Sequence, residues 1–167
     1  MLTLPLVRRP SAARPRVVAM VVNAAFVGRT YPPTTPYAVG REKIREFAEA
    51  VGAVDVVHFD PVQARARGYS DVIAPPTFAV LIAQKCDRQF IADPESGVDF
   101  SRLVHGEQRF VHHRPITAGD EIVGVLTVDS VKVAGGNSMV VTRSELSTID
   151  GVPVCTATST VVIRGGE

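Results

Sequence analysis

The stretch Val72–Ala83, VIAPPTFAVLIA, constrains this chain more than any other. Every residue in it is apolar except Thr77, and no charge appears before Lys85. Pro75 and Pro76 cannot stand inside a helix, because proline lacks an N–H and its ring collides with the preceding turn, but both suit a first turn. Beyond them Phe78, Leu81, Ile82, Lys85, Cys86, Gln89 and Phe90 follow helical spacing, and Ala79, Val80 and Ala83 widen the apolar face. The run is too short, and too soon charged, to cross a membrane. A helix apolar nearly all round must be wrapped by protein.

The second half of the chain supplies the wrapping. After the loop Asp93–Gly97 the apolar period changes from helical to alternating, and Val and Thr become frequent, as strands require. Strands are expected over His105–Arg114, Ile122–Val133, Ser138–Thr148 and Val154–Arg164. Pro115–Asp120, Ala134–Asn137 and Asp150-Gly151 turn the chain between them. Ahead of the apolar stretch, Tyr37–Val39 reads as a short strand. Arg41–Val51 reads as a helix buried through Ile44, Phe47, Ala48 and Val51, and Pro61–Arg67 as a second, capped by Asp60. One buried helix followed by an antiparallel meander predicts an α+β hot-dog fold, a sheet wrapped round one long central helix. Such a sheet leaves an edge strand, which pairing in a dimer would cover.

A chain of 167 residues is one domain by its length. We expect the domain over 24–167, preceded by a flexible tail over 1–23. Residues 1–40 hold five arginines (Arg8, Arg9, Arg14, Arg16 and Arg29) and no acid before Glu42. An Arg-rich, acid-free opening is also the composition of an organelle transit peptide. Pro5, Pro10 and Pro15 oppose the amphipathic helix such a peptide needs and favour the tail, with Met20 a natural start for the domain. A net charge of +1 gives no general attraction to nucleic acid or to a membrane surface. Cys86 and Cys155 make neither a disulfide framework nor a metal-ligand spacing and read as small buried hydrophobes, which fits a cytoplasmic protein.

VGREKIREFAEAV (39–51), the spacing from His58 through Gly68-Tyr69 to IAPPTF (73–78), RFVHHRPITAGDEI (109–122) and VDSV (128–131) together resemble the MaoC-like hydratase/dehydratase family. They are most similar to its FAS1-like dehydratase N-terminal branch, which includes substrate-binding subunits of heterodimeric (3R)-hydroxyacyl-ACP dehydratases. The resemblance covers about residues 24–164. It implies an acyl thioester of CoA or ACP as ligand, no cofactor and no metal. The partner it implies is a second hot-dog chain, in a homodimer or in a heterodimer with a catalytic subunit.

Hydratases of that family carry GDxNPxH, then GF or GY, then IAHG at the start of the central helix. Their Asp and His act as general acid and base around a water, and the N–H of the IAHG glycine polarises the thioester carbonyl. With His58 in register, Gly52 matches the motif's glycine, Ala53 stands at the Asp, Asp55 at the Asn and Val56 at the Pro. Pro75 stands at the IAHG histidine and Pro76 at its glycine, where it has no N–H to donate. The resemblance therefore implies His58 as the retained catalytic residue and Asp55 as the one carboxylate nearby to replace the missing partner. Pro75, Pro76, Thr77 and Phe78 are implied to contact the substrate. A two-residue displacement in extended chain is about 6–7 Å, which sets Asp55 away from the family position unless the loop bulges.

The other histidines read as strand residues. His112 and His113, adjacent on one strand, are expected to point to opposite faces. Arg114-Pro115 and Asp120 read as turn-forming. The functional expectation is a (3R)-hydroxyacyl-thioester dehydratase or enoyl hydratase-type subunit of fatty-acid metabolism, lacking a complete dyad and needing a catalytic partner. The alternatives are a non-catalytic acyl-thioester or lipid-binding homodimer, and an autonomous hydratase or thioesterase using Asp55 and His58.

Overall fold

The computed structural model describes residues 21–165; most of the expected N-terminal tail, residues 1–20, lies outside the described residues. In chain order the elements are β1 (Tyr37–Ala38), α1 (Arg41–Ala50), α2 (Pro61–Ala66), α3 (Val80–Ala92), β2 (Leu103–His112), β3 (Glu121–Ala134), β4 (Asn137–Thr148) and β5 (Pro153–Ile163). The strands form one antiparallel sheet in the order β1-β3-β4-β5-β2. This is the hot-dog fold, a curled sheet round a central helix.

The central helix opens as a tight helical turn over Pro76–Ala79, with Pro75 as its N-cap, and continues as α3. Phe78, Ile82, Cys86 and Phe90 recur every fourth residue and are fully buried. Along β3 and β4 the inward positions alternate, and Leu126, Val128, Val140 and Leu146 meet the helix in one apolar core. The β3–β4 hairpin turns on Gly135 and Gly136, both with positive φ, in the two-residue loop that suits the twist of the strands.

Packing begins before Ala24. Val22 is buried and its N–H donates to Ser138 Oγ at 3.2 Å. The following segment runs beside β3: Gly28 N–H donates to Val128 O, Tyr31 N–H to Leu126 O and Thr34 N–H to Gly124 O. Those bonds, with β1, cover the outer edge of β3. At the opposite edge β2 pairs with β5 alone among the described residues.

Asp71 fixes the approach to the central helix. Its carboxylate accepts from Arg41 Nε and Nη2 at 2.8 and 2.6 Å, from Arg65 Nη2 at 3.0 Å and from the Val72 N–H at 2.8 Å. One buried acid thus ties α1 and α2 to the chain entering α3. The next residues are clamped on both sides, Ile73 N–H by Val57 O and Ala74 N–H by Ile116 O.

Candidate functional site

Between these clamps lies a cavity of about 580 Å³, bounded by the turn around His58, the segment Ile73–Pro76, the end of α2 and the chain leaving β2. A short helical turn, Val56–His58, presents His58, and Asp55 caps that turn by accepting the Val57 N–H at 3.2 Å. His58 is buried, and its Nδ1 lies 2.7 Å from Ile73 O. A carbonyl only accepts, so Nδ1 carries the proton and the neutral ring keeps its lone pair on Nε2. That arrangement is suited to a general base.

Asp55 borders the same cavity, but its carboxylate is already engaged. Arg67 Nη1 lies 2.7 and 3.0 Å from its two oxygens. The Val57 N–H foremost, opposed by burial and then joined by Arg67 and His58, holds the carboxyl below its ordinary value. Such a group stays ionised and paired at neutral pH. Ala53 is not part of the cavity wall.

Pro75 and Pro76 both border the cavity. Pro76 heads the helical turn as its sequence position predicts, and its carbonyl lies 2.8 Å from His112 Nε2, which therefore donates to it. Thr77 and Phe78 are not in the wall: Thr77 is exposed, and Phe78 is fully buried with its ring edge-on to Tyr37 and Phe47. The structure thus gathers Asp55, His58, Pro75 and Pro76 and leaves Thr77 and Phe78 aside.

His112 and His113 both border the cavity, but their side chains are held on opposite faces of the sheet, as expected: His112 reaches the head of the central helix and His113 the outward row of Thr156 and Glu145. β2 ends at His112, paired with the inward-facing Cys155, and His113 continues the alternation, its N–H donating to Val154 O at 2.9 Å. His113 Nε2 lies 3.1 Å from Thr156 Oγ1, which donates its own proton to Glu145 at 2.6 Å. Arg67 and Tyr69 also border the cavity. Only the Gly68-Tyr69 motif marked that loop in the sequence, and nothing in the spacing marked Arg67. Arg114 holds Asp120 through two nitrogens at 2.9 and 3.0 Å, a turn clamp as expected. Among the described residues no three His, Cys, Asp or Glu side chains are placed to hold a metal ion.

This cavity, at the head of the central helix of a hot-dog sheet, sits where the sequence resemblance puts an acyl thioester. The family model for the FAS1-like dehydratase domain region matches residues 25–157. The chain belongs to this FAS1-like dehydratase family. A UPF0336 protein of Saccharopolyspora erythraea is 54% identical over 146 residues, 87% of this chain and 94% of that protein. A second, from Leifsonia xyli subsp. xyli, is 51% identical over 87% of this chain and 98% of its own length. Among solved structures, the C-terminally truncated HadBC (3R)-hydroxyacyl-ACP dehydratase complex of Mycobacterium tuberculosis is similar with a TM-score of 0.73 and 33% identity. That match covers 82% of this chain and 96% of the matched one. A MaoC-like dehydratase matches with a TM-score of 0.76 and 35% identity over 84% of this chain and 42% of its own. The (R)-hydratase of A. caviae, at 16% identity and a TM-score of 0.61, shares the fold. No helix among the described residues is long and apolar enough to cross a membrane.

Proposed function

We propose that this chain is the acyl-thioester-binding subunit of a (3R)-hydroxyacyl-thioester dehydratase or enoyl hydratase, working in the cytoplasm on ACP- or CoA-linked acyl groups. In this reading a second hot-dog chain supplies the acid/base pair. The observation that carries it is the state of the cavity: His58 is poised as a base, Asp55 is tied to Arg67, and Pro76 occupies the helix position where a carbonyl-polarising N–H is needed. Loss of a single oxyanion donor costs about a hundredfold or more in rate. The open edge of β2, with Val104 and Val111 exposed, is consistent with a partner strand there. The similar HadBC structure is itself a complex.

The test is hydration of crotonyl-CoA by the chain alone and after co-purification with a hot-dog chain carrying intact GDxNPxH and IAHG motifs. Turnover that needs both chains is expected. Robust turnover by this chain alone would refute the division of labour.

A second reading keeps the chain autonomous, with Asp55 and His58 as the pair; their shared cavity favours it. It requires that Asp55→Asn and His58→Ala each abolish turnover by the isolated chain. Acyl-CoA binding with no turnover under either condition would leave the lipid-binding homodimer.

A further inference from the structure

The central helix covers only part of the concave face of the sheet. Ile122, Leu126 and Val128 of β3 and Val140 and Leu146 of β4 are buried beneath it. On β2 the inward residues include Leu103, His105, Gln108 and Phe110, which pair with Ile163, Val161, Ser159 and Ala157 of β5. Those four β5 residues are buried, yet none of their β2 partners is: His105 is exposed and the other three are half-buried. Among the described residues, a strip of the concave face between α3 and the β2 edge is thus left open.

The floor of this strip is polar. Thr142 of β4 and Ser159 of β5 stand opposite each other, both buried, and Gln108 continues the row on β2. Asp87 of α3 reaches this row, where Thr142 Oγ1 donates to its Oδ1 at 2.8 Å. Among the described residues no lysine, arginine or histidine makes an ion pair with it. His105 faces the strip from β2, but its Nε2 lies 3.2 Å from both Gln108 Oε1 and Ser159 Oγ. The Gln108 amide donates to Thr158 O at 3.1 Å, so its Oε1 accepts and the His105 proton on Nε2 is spent there. On α3 itself the Cys86 thiol is buried, and Arg88 is exposed and turned away round the helix. Burial foremost, against the Thr142 hydrogen bond and the field of His105, raises the Asp87 carboxyl above its ordinary value. An acid raised by burial carries a charge its own chain does not compensate, and a cation brought to it offsets that cost.

We infer that this strip is an interaction surface whose partner sets a basic side chain, arginine or lysine, against the Asp87 carboxylate. The occupant is a second hot-dog chain that adds a strand to the free edge of β2. The inference rests on the two-chain reading and names the chemistry of the contact. Two observations select that occupant. β2 is the open edge of the sheet among the described residues, and a strand added there carries the concave face onward past the strip. Charge complementarity then sets the residue. Neighbouring strands lie about 4.8 Å apart, so the added strand runs about 10 Å from β5. A long side chain spans that gap with its stem over apolar surface such as Phe110 and its charge at Asp87.

The experiment is biolayer interferometry of the full chain against a hot-dog chain carrying intact GDxNPxH and IAHG motifs, with Asp87→Asn as the variant. Asparagine keeps the shape and still accepts from Thr142. The isolated variant should therefore melt at the native temperature or above it, because an uncompensated charge has been removed from a desolvated position. Its association should weaken at least about tenfold, as when one member of a buried charge pair is truncated. One lysine or arginine of the second chain, replaced by methionine, should lose the same factor with the native chain and nothing further with Asp87→Asn. Unchanged association of Asp87→Asn, or no basic residue coupled to it, overturns the inference and leaves the two-chain reading standing. An isolated variant that fails to fold or melts well below the native chain does the same, since the carboxylate is then used within its own chain. Self-association of this chain that Asp87→Asn abolishes assigns the strip to a second copy and overturns the chosen partner. Failure of the two native chains to associate overturns the two-chain reading and this inference together.

Discussion

Replacing Gly124 with alanine tests whether the central helix is seated on the sheet as described. Gly124 lies on β3 opposite Leu146, beneath the helix. A Cβ there would stand 2.8 Å from Leu146 Cδ2 and inside the contact distance of Cys86 Sγ. Both neighbours are buried, Leu146 at 2% exposure and Cys86 at 0%, so neither side chain can swing into solvent. Two effects compete. Gly→Ala ordinarily adds about 0.4–1 kcal/mol by restricting the unfolded chain, whereas forcing a methyl into a packed core costs about 1–3 kcal/mol. The clash should win, leaving a net loss of about 1–2 kcal/mol and a melting temperature lower by roughly 3–8 °C. Urea denaturation followed by circular dichroism should show a lower midpoint with an unchanged slope. Cys86→Ala alone should cost about 1 kcal/mol, as other small core deletions do. In Gly124→Ala/Cys86→Ala the new methyl takes the sulfur's place, so the double variant should be no less stable than Gly124→Ala. The pair would then show a favourable coupling of about 1–2 kcal/mol. An undiminished Gly124→Ala protein, or losses that simply add, would refute this packing.

The Arg41 guanidinium foremost, opposed by burial and then aided by the Val72 N–H and Arg65, pulls the Asp71 carboxyl down to about 2. A depressed folded value stabilises above the unfolded value near 4 and is lost as pH falls from about 4 towards 2. Asp71→Asn should therefore cost about 1–2 kcal/mol at pH 7, discounted for the half-exposed arginines, and flatten the acid limb of a stability-against-pH curve. A limb unchanged by the substitution would remove Asp71 from it. Burial pushes the Cys86 and Cys155 thiols up to about 11. Neither should react with a disulfide reagent at pH 8 in the native protein, and both should react in urea; native labelling at either position would contradict its burial.

The fold was legible because its signals are local and repeated. A long apolar helix announced by Pro75-Pro76, and alternation over four successive segments, read directly as a helix wrapped by a meander. His58 and the prolines were legible through the resemblance, since each stands at a motif position. What escaped depends on pairs distant in sequence. The anchoring of His112 on the Pro76 carbonyl joins residues 36 apart in the chain, and no pattern marks it. The occupation of Asp55 by Arg67 spans twelve residues and a helix, and no pattern marks that pair. Gly124 sits in a strand as a close-approach glycine does, yet its neighbour Cys86 lies on another element.

Pro76 joins the two halves of the functional argument. Read as sequence, it is a subtraction, a residue with no N–H where the hydratases of this family place a donor. Read in the fold, its carbonyl is also an anchor, because it holds His112 Nε2 at 2.8 Å and turns the other imidazole nitrogen into an acceptor. One position thus both withholds an N–H and anchors a neighbouring imidazole. On the proposed function, such a cavity holds an acyl group in its ground state while lacking one donor for the enolate charge that the chemistry must pass through. Binding ground state and transition state differently is what separates a catalyst from a receptor. The proposed division of labour between two hot-dog chains rests on that difference: the chain that holds the acyl group relies on another to polarise its carbonyl.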